Sequence, residues 1–263
     1  MFVVKFINNE ANVTESFISQ MRTLVQGDSV SLPQIFKIVK TTEDRSVYSC
    51  LFEQRFFYIK LYSFSNPFKY FKHLFRYSHG IHGYKKSIRL LNKNVSTATP
   101  VVAMSYLGGL RSLVVHEAIE GIDAEAFFIK ARDINLRILT LKKIGSLIAE
   151  LFLKGFSHGD MNFGGFIIDA KDGSVSVSLI DVDNITNKPE KQFRDIVNFN
   201  AHLFMTAQKA QVEMLSLDEY RTLFLSVLDI FDFGMSRDVF FERLNRDTER
   251  KLIKWGQQGY RVI

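Results

Sequence analysis

Residues 157–183 read SHGDMNFGGFIIDAKDGSVSVSLIDVD, and they hold the side chains best suited to chemistry. His158, Gly159 and Asp160 close an apolar run. A short hairpin follows, turning at Ala170-Lys171-Asp172-Gly173, and a second acidic pair, Asp181 and Asp183, comes after Leu179-Ile180. One carboxylate placed to accept a hydroxyl proton, with others placed to hold a hard divalent cation, suits phosphoryl transfer. Magnesium prefers carboxylate oxygen, so Asp181 is the expected ligand and Asp183 its partner or the contact for a second ion.

Other chemistries find no support. One cysteine, Cys50, excludes an internal disulfide framework and points to a reducing compartment, and the scattered histidines show no zinc spacing. Neither a Gly-x-Ser-x-Gly elbow nor a Walker lysine loop occurs. His73, His79 and His82 sit in a basic segment and read as surface or phosphate-contacting groups, and Gly108-Gly109 as a hairpin turn. With no signal peptide at the start and no apolar run of the ~18 residues that span a bilayer, a soluble cytoplasmic protein is expected.

Those side chains need a scaffold, and 263 residues with 46% hydrophobic and 24% charged content can bury one core or two closely packed lobes. Residues 11–26 read as a helix. Residues 35–39, 47–52 and 56–62 alternate like strands of a small antiparallel sheet, with a turn at 41–46 and Lys60 inside the last strand. Residues 68–77, FKYFKHLFRY, form an amphipathic segment that suits either a membrane interface or packing on the sheet. A helix over 84–93 and a hairpin of 101–104 with 113–116 lead to Glu117-Ala118-Ile119-Glu120-Gly121, an acidic step that reads as a hinge. The expected domains are therefore 1–116 and 117–263. The second is mainly helical, with helices over 124–134, 136–156 (stopped by Gly155), 191–210, 216–231 and 236–258.

Charge is unevenly distributed. From Gln54 to His116 the chain has no Asp or Glu and ten Lys or Arg, more than the net charge of +6 for the whole protein. Such a lobe attracts polyanions or an anionic membrane face. Nucleic acid is not expected, because no binding motif accompanies the charge.

These features resemble the bacterial lipopolysaccharide core kinases, which include heptose and 3-deoxy-manno-octulosonic acid kinases, over residues 36–204. The resemblance is carried by Lys60 in FYIKLYS, the basic insert before HGYKKSIRLL, the Thr99-Pro100 step, the 114–121 hinge, and HGD followed by IDVD. It implies an α+β, two-lobed protein-kinase-like fold with a small antiparallel-sheet N-lobe and a mainly helical C-lobe. It also implies ATP and Mg²⁺ as cofactors, with Asp160 as base and His158 bracing its loop. Lys60 would meet the α- and β-phosphates, with Glu117 and Asn162 as further cofactor contacts and Asp181 and Asp183 on the metal. The implied substrate is an inner-core sugar of lipopolysaccharide, phosphorylated at the cytoplasmic face of the inner membrane by a peripherally bound enzyme.

Three departures accompany this resemblance. Lys86-Ser87-Ile88 stands where a helix glutamate would lock the lysine, the turn KTTEDRS has no glycine to let backbone amides approach phosphates, and Gly165 replaces the metal Asn. The alternatives are a pseudokinase binding lipopolysaccharide or a partner enzyme without transferring phosphate, and a small-molecule kinase of the choline or aminoglycoside type.

Overall fold

The computed structural model describes residues 4–8, 11–27, 36–64, 78–171 and 173–256, which fall into two compact units, 1–119 and 120–263. The amphipathic segment 68–77, with Lys69, Lys72 and Arg76, lies outside the described residues.

The first unit is a six-stranded antiparallel sheet. In chain order its strands are β1 (Val4–Ile7), β2 (Phe36–Thr41), β3 (Arg45–Phe52), β4 (Arg55–Ser63), β5 (Pro100–Tyr106) and β6 (Arg111–Glu117), and across the sheet they run β1-β5-β6-β4-β3-β2. Strand β4 shows why the sheet has two distinct faces. Phe57, Ile59 and Leu61 point one way, and Phe56, Tyr58, Lys60 and Tyr62 the other. Helix α1 (Glu15–Gln26) covers the first face, where Phe17, Met21 and Val25 join Ile59, Met104 and Val115 in one core.

Helix α2 (His79–Leu91) covers part of the second face, packing Ile81 and Tyr84 on Tyr62, Ala103 and Val114. It begins five residues earlier than its apolar pattern indicates, because the Ser78 hydroxyl caps it by accepting the Ile81 N–H. Gly80 in its first turn is a packing requirement. A Cβ there would stand 2.3 Å from the Leu113 carbonyl oxygen. Helix α1 likewise starts at Glu15 rather than at residue 11, since Thr14 is its cap and Asn12 has a left-handed φ of 44°. Strand β1 has no turn signal ahead of it and becomes a strand only by pairing with β5.

The second unit joins five helices to a three-stranded sheet. The helices are α3 (Ala124–Lys130), α4 (Ile134–Leu153), α5 (Gln192–Ala210), α6 (Leu217–Leu228) and α7 (Arg237–Lys254). The sheet, ordered β7-β8-β9, comprises β7 (Ile122–Asp123), β8 (Phe166–Lys171) and β9 (Ser174–Leu179). The helix expected over 124–134 ends at Lys130, and the next, expected from 136, begins at Ile134. Ala131 is extended, and Asp133 caps α4 by accepting the Asn135 and Leu136 N–H groups at 2.9 and 3.3 Å. Helix α4 buries Leu141, Ile144, Leu151 and Phe152, and ends at Leu153 ahead of Gly155 at φ +77°. Arg137 clasps the surroundings of α4. It donates to both Glu219 oxygens, at 2.5 and 2.9 Å, and to the carbonyls of Phe128, Ala131 and Met214. Fully buried rings of Phe163, Phe166, Phe199, Phe224 and Phe240 fill the space between the sheet and the helices.

Candidate active site

The second unit brings the two acidic motifs together. Ser157 and Thr186 exchange backbone hydrogen bonds of 2.8 and 2.9 Å, and their hydroxyl oxygens lie 2.9 Å apart. Ile180 N–H donates to Gly165 O at 2.8 Å, where β8 and β9 begin to diverge. Between these two ties, Gly159 adopts φ +84° so close to Asn184 that a Cβ would meet its carbonyl oxygen at 2.8 Å. The stretch 157–165 is thus joined to 180–186 at both ends, which a glycine alone permits in the middle. Asp160 is exposed at this loop, between buried His158 and fully buried Met161.

Asp181 holds a left-handed conformation, φ 62° and ψ 43°, at the start of a 3₁₀ turn over Val182–Asn184. Asp is among the few residue types that tolerate this region, and such strain concentrates where a side chain must be aimed. Asp183 follows in the same turn and is partly buried.

A magnesium ion fits these donors. Mg²⁺ takes one or two carboxylates and fills its octahedron with water and phosphate oxygens, so it needs no all-protein cage. Consistent with that, no three His, Cys, Asp or Glu side chains converge among the described residues. Gly165 contributes no ligand, but the space beside it is informative. An added Cβ would have Asn162 Oδ1 and Ile180 O each at 3.8 Å. The Asn162 amide oxygen therefore lies beside the place where a side chain from position 165 would begin. Its nitrogen donates to Asp160 O at 3.1 Å.

Lys60 and Glu117 belong to the first unit. Lys60 lies on the α2 face of the sheet, two and four residues from Tyr58 and Phe56, which are 44% and 61% exposed. An exposed aromatic face ending in a lysine suits a nucleotide, with rings for the base and a cation for phosphate. Tyr58 and Phe56 were not singled out from the sequence, although their period-two spacing puts them on the same face of β4 as Lys60. Glu117 ends β6 and is ion-paired with Arg55. Where α2 lacks a glutamate, it carries buried Ser87, whose Oγ is 3.0 Å from His116 Nε2 and also donates to Gly83 O at 3.1 Å.

The other missed residue is Asp195. Fully buried in α5, its carboxylate accepts the His158 N–H at 2.5 Å and the Gly159 N–H at 3.0 Å. Burial pushes this carboxyl up to about 6, and the two backbone donors hold it from rising further. Its sequence signal is a charge on the apolar stripe of α5, next to Ile196 and one turn before Phe199. The contact of His158 with this anchor is made by its backbone N–H.

A sheet-based unit bearing a strand lysine, and a helical unit bearing an anchored His-Gly-Asp loop tied to an acidic turn, define a phosphotransferase of protein-kinase-like fold. The solved structure described as "WaaP in complex with acyl carrier protein" is similar, with a TM-score of 0.62 and 14% identity over 95% of this chain and 99% of that one. No curated protein matches the chain in sequence. The family model of the lipopolysaccharide kinase (Kdo/WaaP) family matches residues 75–226, and the chain belongs to that family. Membership makes it a lipopolysaccharide kinase in the general sense and implies the use of ATP.

Proposed function

We propose that this protein transfers the γ-phosphoryl group of ATP to a hydroxyl of an inner-core sugar of lipopolysaccharide, working at the cytoplasmic face of the inner membrane. The reading rests on the pairing of the 157–165 loop, which carries exposed Asp160, with the 180–186 turn, which carries Asp181 and Asp183. Asp160 orients the acceptor hydroxyl and takes up its proton as the phosphorus–oxygen bond forms. Asp195 keeps the backbone on either side of Gly159 in place, so the carboxylate of Asp160 spends its time in reach of the hydroxyl. Lys60 binds α- and β-phosphate oxygens, with Tyr58 and Phe56 against the base. Asp181 and Asp183, with Asn162 beside them, would hold Mg²⁺, which supplies charge neutralisation on the phosphates.

Among the described residues no helix is long and apolar enough to cross a membrane. Peripheral attachment through the basic stretch of the first unit is consistent with that, and salt-sensitive liposome binding tests it.

The test of the enzymatic reading has two parts. ATP with Mg²⁺ should raise the melting temperature of the wild-type protein, and Asp181→Ala should remove that shift. Purified core glycolipid should gain one phosphoryl mass with wild type, and Asp160→Asn should slow transfer by about 10²–10⁴-fold. Gly165 in the metal loop favours a second reading, a pseudokinase that binds glycolipid without turnover. Nucleotide-independent glycolipid binding with no mass gain would select it.

A further inference from the structure

Beside Asp160 lies a group of side chains that phosphoryl transfer as described leaves unused. His202 on α5 is half-buried, and its ring centre is 5.0 Å from that of Trp255, just past the end of α7. Lys251 lies over the same indole, its Nζ 4.9 Å from the ring centre. His202 is within electrostatic reach of Asp160, Glu125 and Lys251. Glu125 in turn accepts the Thr206 hydroxyl at 3.1 Å, one turn along α5. An added Cβ on Gly164 would lie 3.3 Å from Glu125 Oε1 and 3.5 Å from Asn162 Oδ1, so this carboxylate borders the catalytic loop.

Further cations gather around Lys251. Lys251 feels Arg194 and Lys254, and Lys191 feels Arg194 and Lys188, with Glu190 as the nearby acid. None of these five cations forms an ion pair with a carboxylate among the described residues. Their mutual repulsion lowers the proton affinity of Lys191. At Lys251, burial is the larger cause and repulsion adds to it. Like charges held together at the protein surface form a ready site for an anion.

We propose that Trp255 is the platform for the acceptor sugar and that Lys191, Arg194 and Lys251 bind an anionic substituent, phosphate or carboxylate, on that sugar or its neighbour. The inference rests on the phosphotransferase reading of Asp160. Three features favour a glycan over a flat bilayer. A half-buried indole offers an apolar face with polar groups at its edge, as carbohydrate sites require. Carboxylates (Asp160, Glu125) and cations (Lys251, Arg194) both lie within electrostatic reach of the groups on the indole, so a molecule carrying a neutral hydroxyl and an anion finds a partner for each. Arg194 supplies the planar fork that suits carboxylate and phosphate oxygens.

Trp255 is the only tryptophan in the chain, so its fluorescence reports occupancy directly. Lipid-free core oligosaccharide, released by deacylation with its anionic groups intact, should titrate the emission of the full-length protein saturably. Lys191→Gln/Arg194→Gln should weaken this binding at least 10-fold. The same oligosaccharide after removal of phosphate and reduction of carboxyl groups should bind wild type as weakly as the double variant binds the native glycan. In turnover, the double variant should raise the acceptor KM by a matching factor and leave kcat and the KM for ATP unchanged.

An unaltered Kd in the double variant, or no emission change in wild type, overturns the inference. So does an equal response to phosphatidylglycerol vesicles, which would assign the cations to lipid headgroups. Charge-dependent glycan binding without phosphoryl transfer would leave the inference standing and remove the catalytic reading. Transfer with an acceptor KM indifferent to the double substitution would do the reverse.

Discussion

Asp195→Asn separates what the anchor of the catalytic loop does for stability from what it does for turnover. The native carboxylate accepts two buried N–H groups, from His158 and Gly159. An amide keeps one acceptor oxygen and turns an NH₂ towards the other donor, leaving a buried N–H unmatched at about 1–3 kcal/mol. Against that stands the burial of a charge. The carboxyl is raised from 3.8 to about 6, which at neutral pH corresponds to about 3 kcal/mol carried by the ionised group and absent from the amide. The two effects nearly cancel, so the variant should melt close to the native protein at pH 7.5.

Acidification should then split them. A carboxyl whose folded pKa lies above its unfolded value binds more protons when folded, so its contribution improves as pH falls from about 6 towards 3.8. At pH 4.5 the native penalty is reduced to about 1 kcal/mol, and the variant should have lost about 2 kcal/mol relative to wild type since pH 7.5. Denaturant unfolding at the two pH values measures this difference. Because a loop held by one tether misplaces Asp160, kcat for core glycolipid should fall by about 10- to 100-fold while the KM for ATP stays constant. A stability difference independent of pH, together with an unchanged kcat, would refute both the burial cost and the anchoring role.

Further substitutions probe the metal loop, the glycine and the helical scaffold. Gly165→Asn meets nothing closer than 3.8 Å at its Cβ, so it should fold normally and tighten Mg²⁺ dependence. Asn162→Ala should weaken it by about 10-fold or more, and equal Mg²⁺ titrations for both variants and wild type would dismiss any role for the amide. Gly159→Ala must accept both φ +84° and the Asn184 carbonyl oxygen 2.8 Å away. It should destabilise the protein by a few kcal/mol and abolish transfer, and a native melting temperature in a scan would contradict this. Arg137→Ala leaves Glu219, only 3% exposed at its side chain, as a buried charge without its partner. A loss of about 3–5 kcal/mol is expected in urea unfolding, and a loss below 1 kcal/mol would show that the clasp is dispensable.

Sequence alone marked out the elements with strong local signals and nominated the residues whose types suit phosphoryl transfer. Strand β4 was legible because alternation over nine residues has one stable solution, a half-buried strand in a sheet, and β5 and β6 as short apolar runs that the sheet buries on both faces. The long apolar helix α4 and the hairpin β8–β9 were legible for the same kind of reason, periodicity ended by glycine. The approach of the 157–165 loop to the 180–186 turn followed from the hairpin between them, since antiparallel strands return the chain to its origin. Helix starts were less legible, because a cap is one residue whose effect depends on where the preceding chain goes. Thr14, Ser78 and Asp133 each moved a boundary in this way.

Only the tertiary structure decided which distant residues serve the loop. Asp195 is 36 residues from Gly159, and nothing local says that its carboxylate faces the backbone there rather than solvent. Asn162 beside Gly165 depends on the turn between them, and Trp255 beside His202 on how α7 packs along α5. Strand β1 and the two-residue β7 have too little pattern of their own and exist through the partners that complete their hydrogen bonds. A residue's type and its near neighbours set what it can do. Which group it does it to is fixed by packing, because burial forces every donor, acceptor and charge to find a partner wherever the fold supplies one.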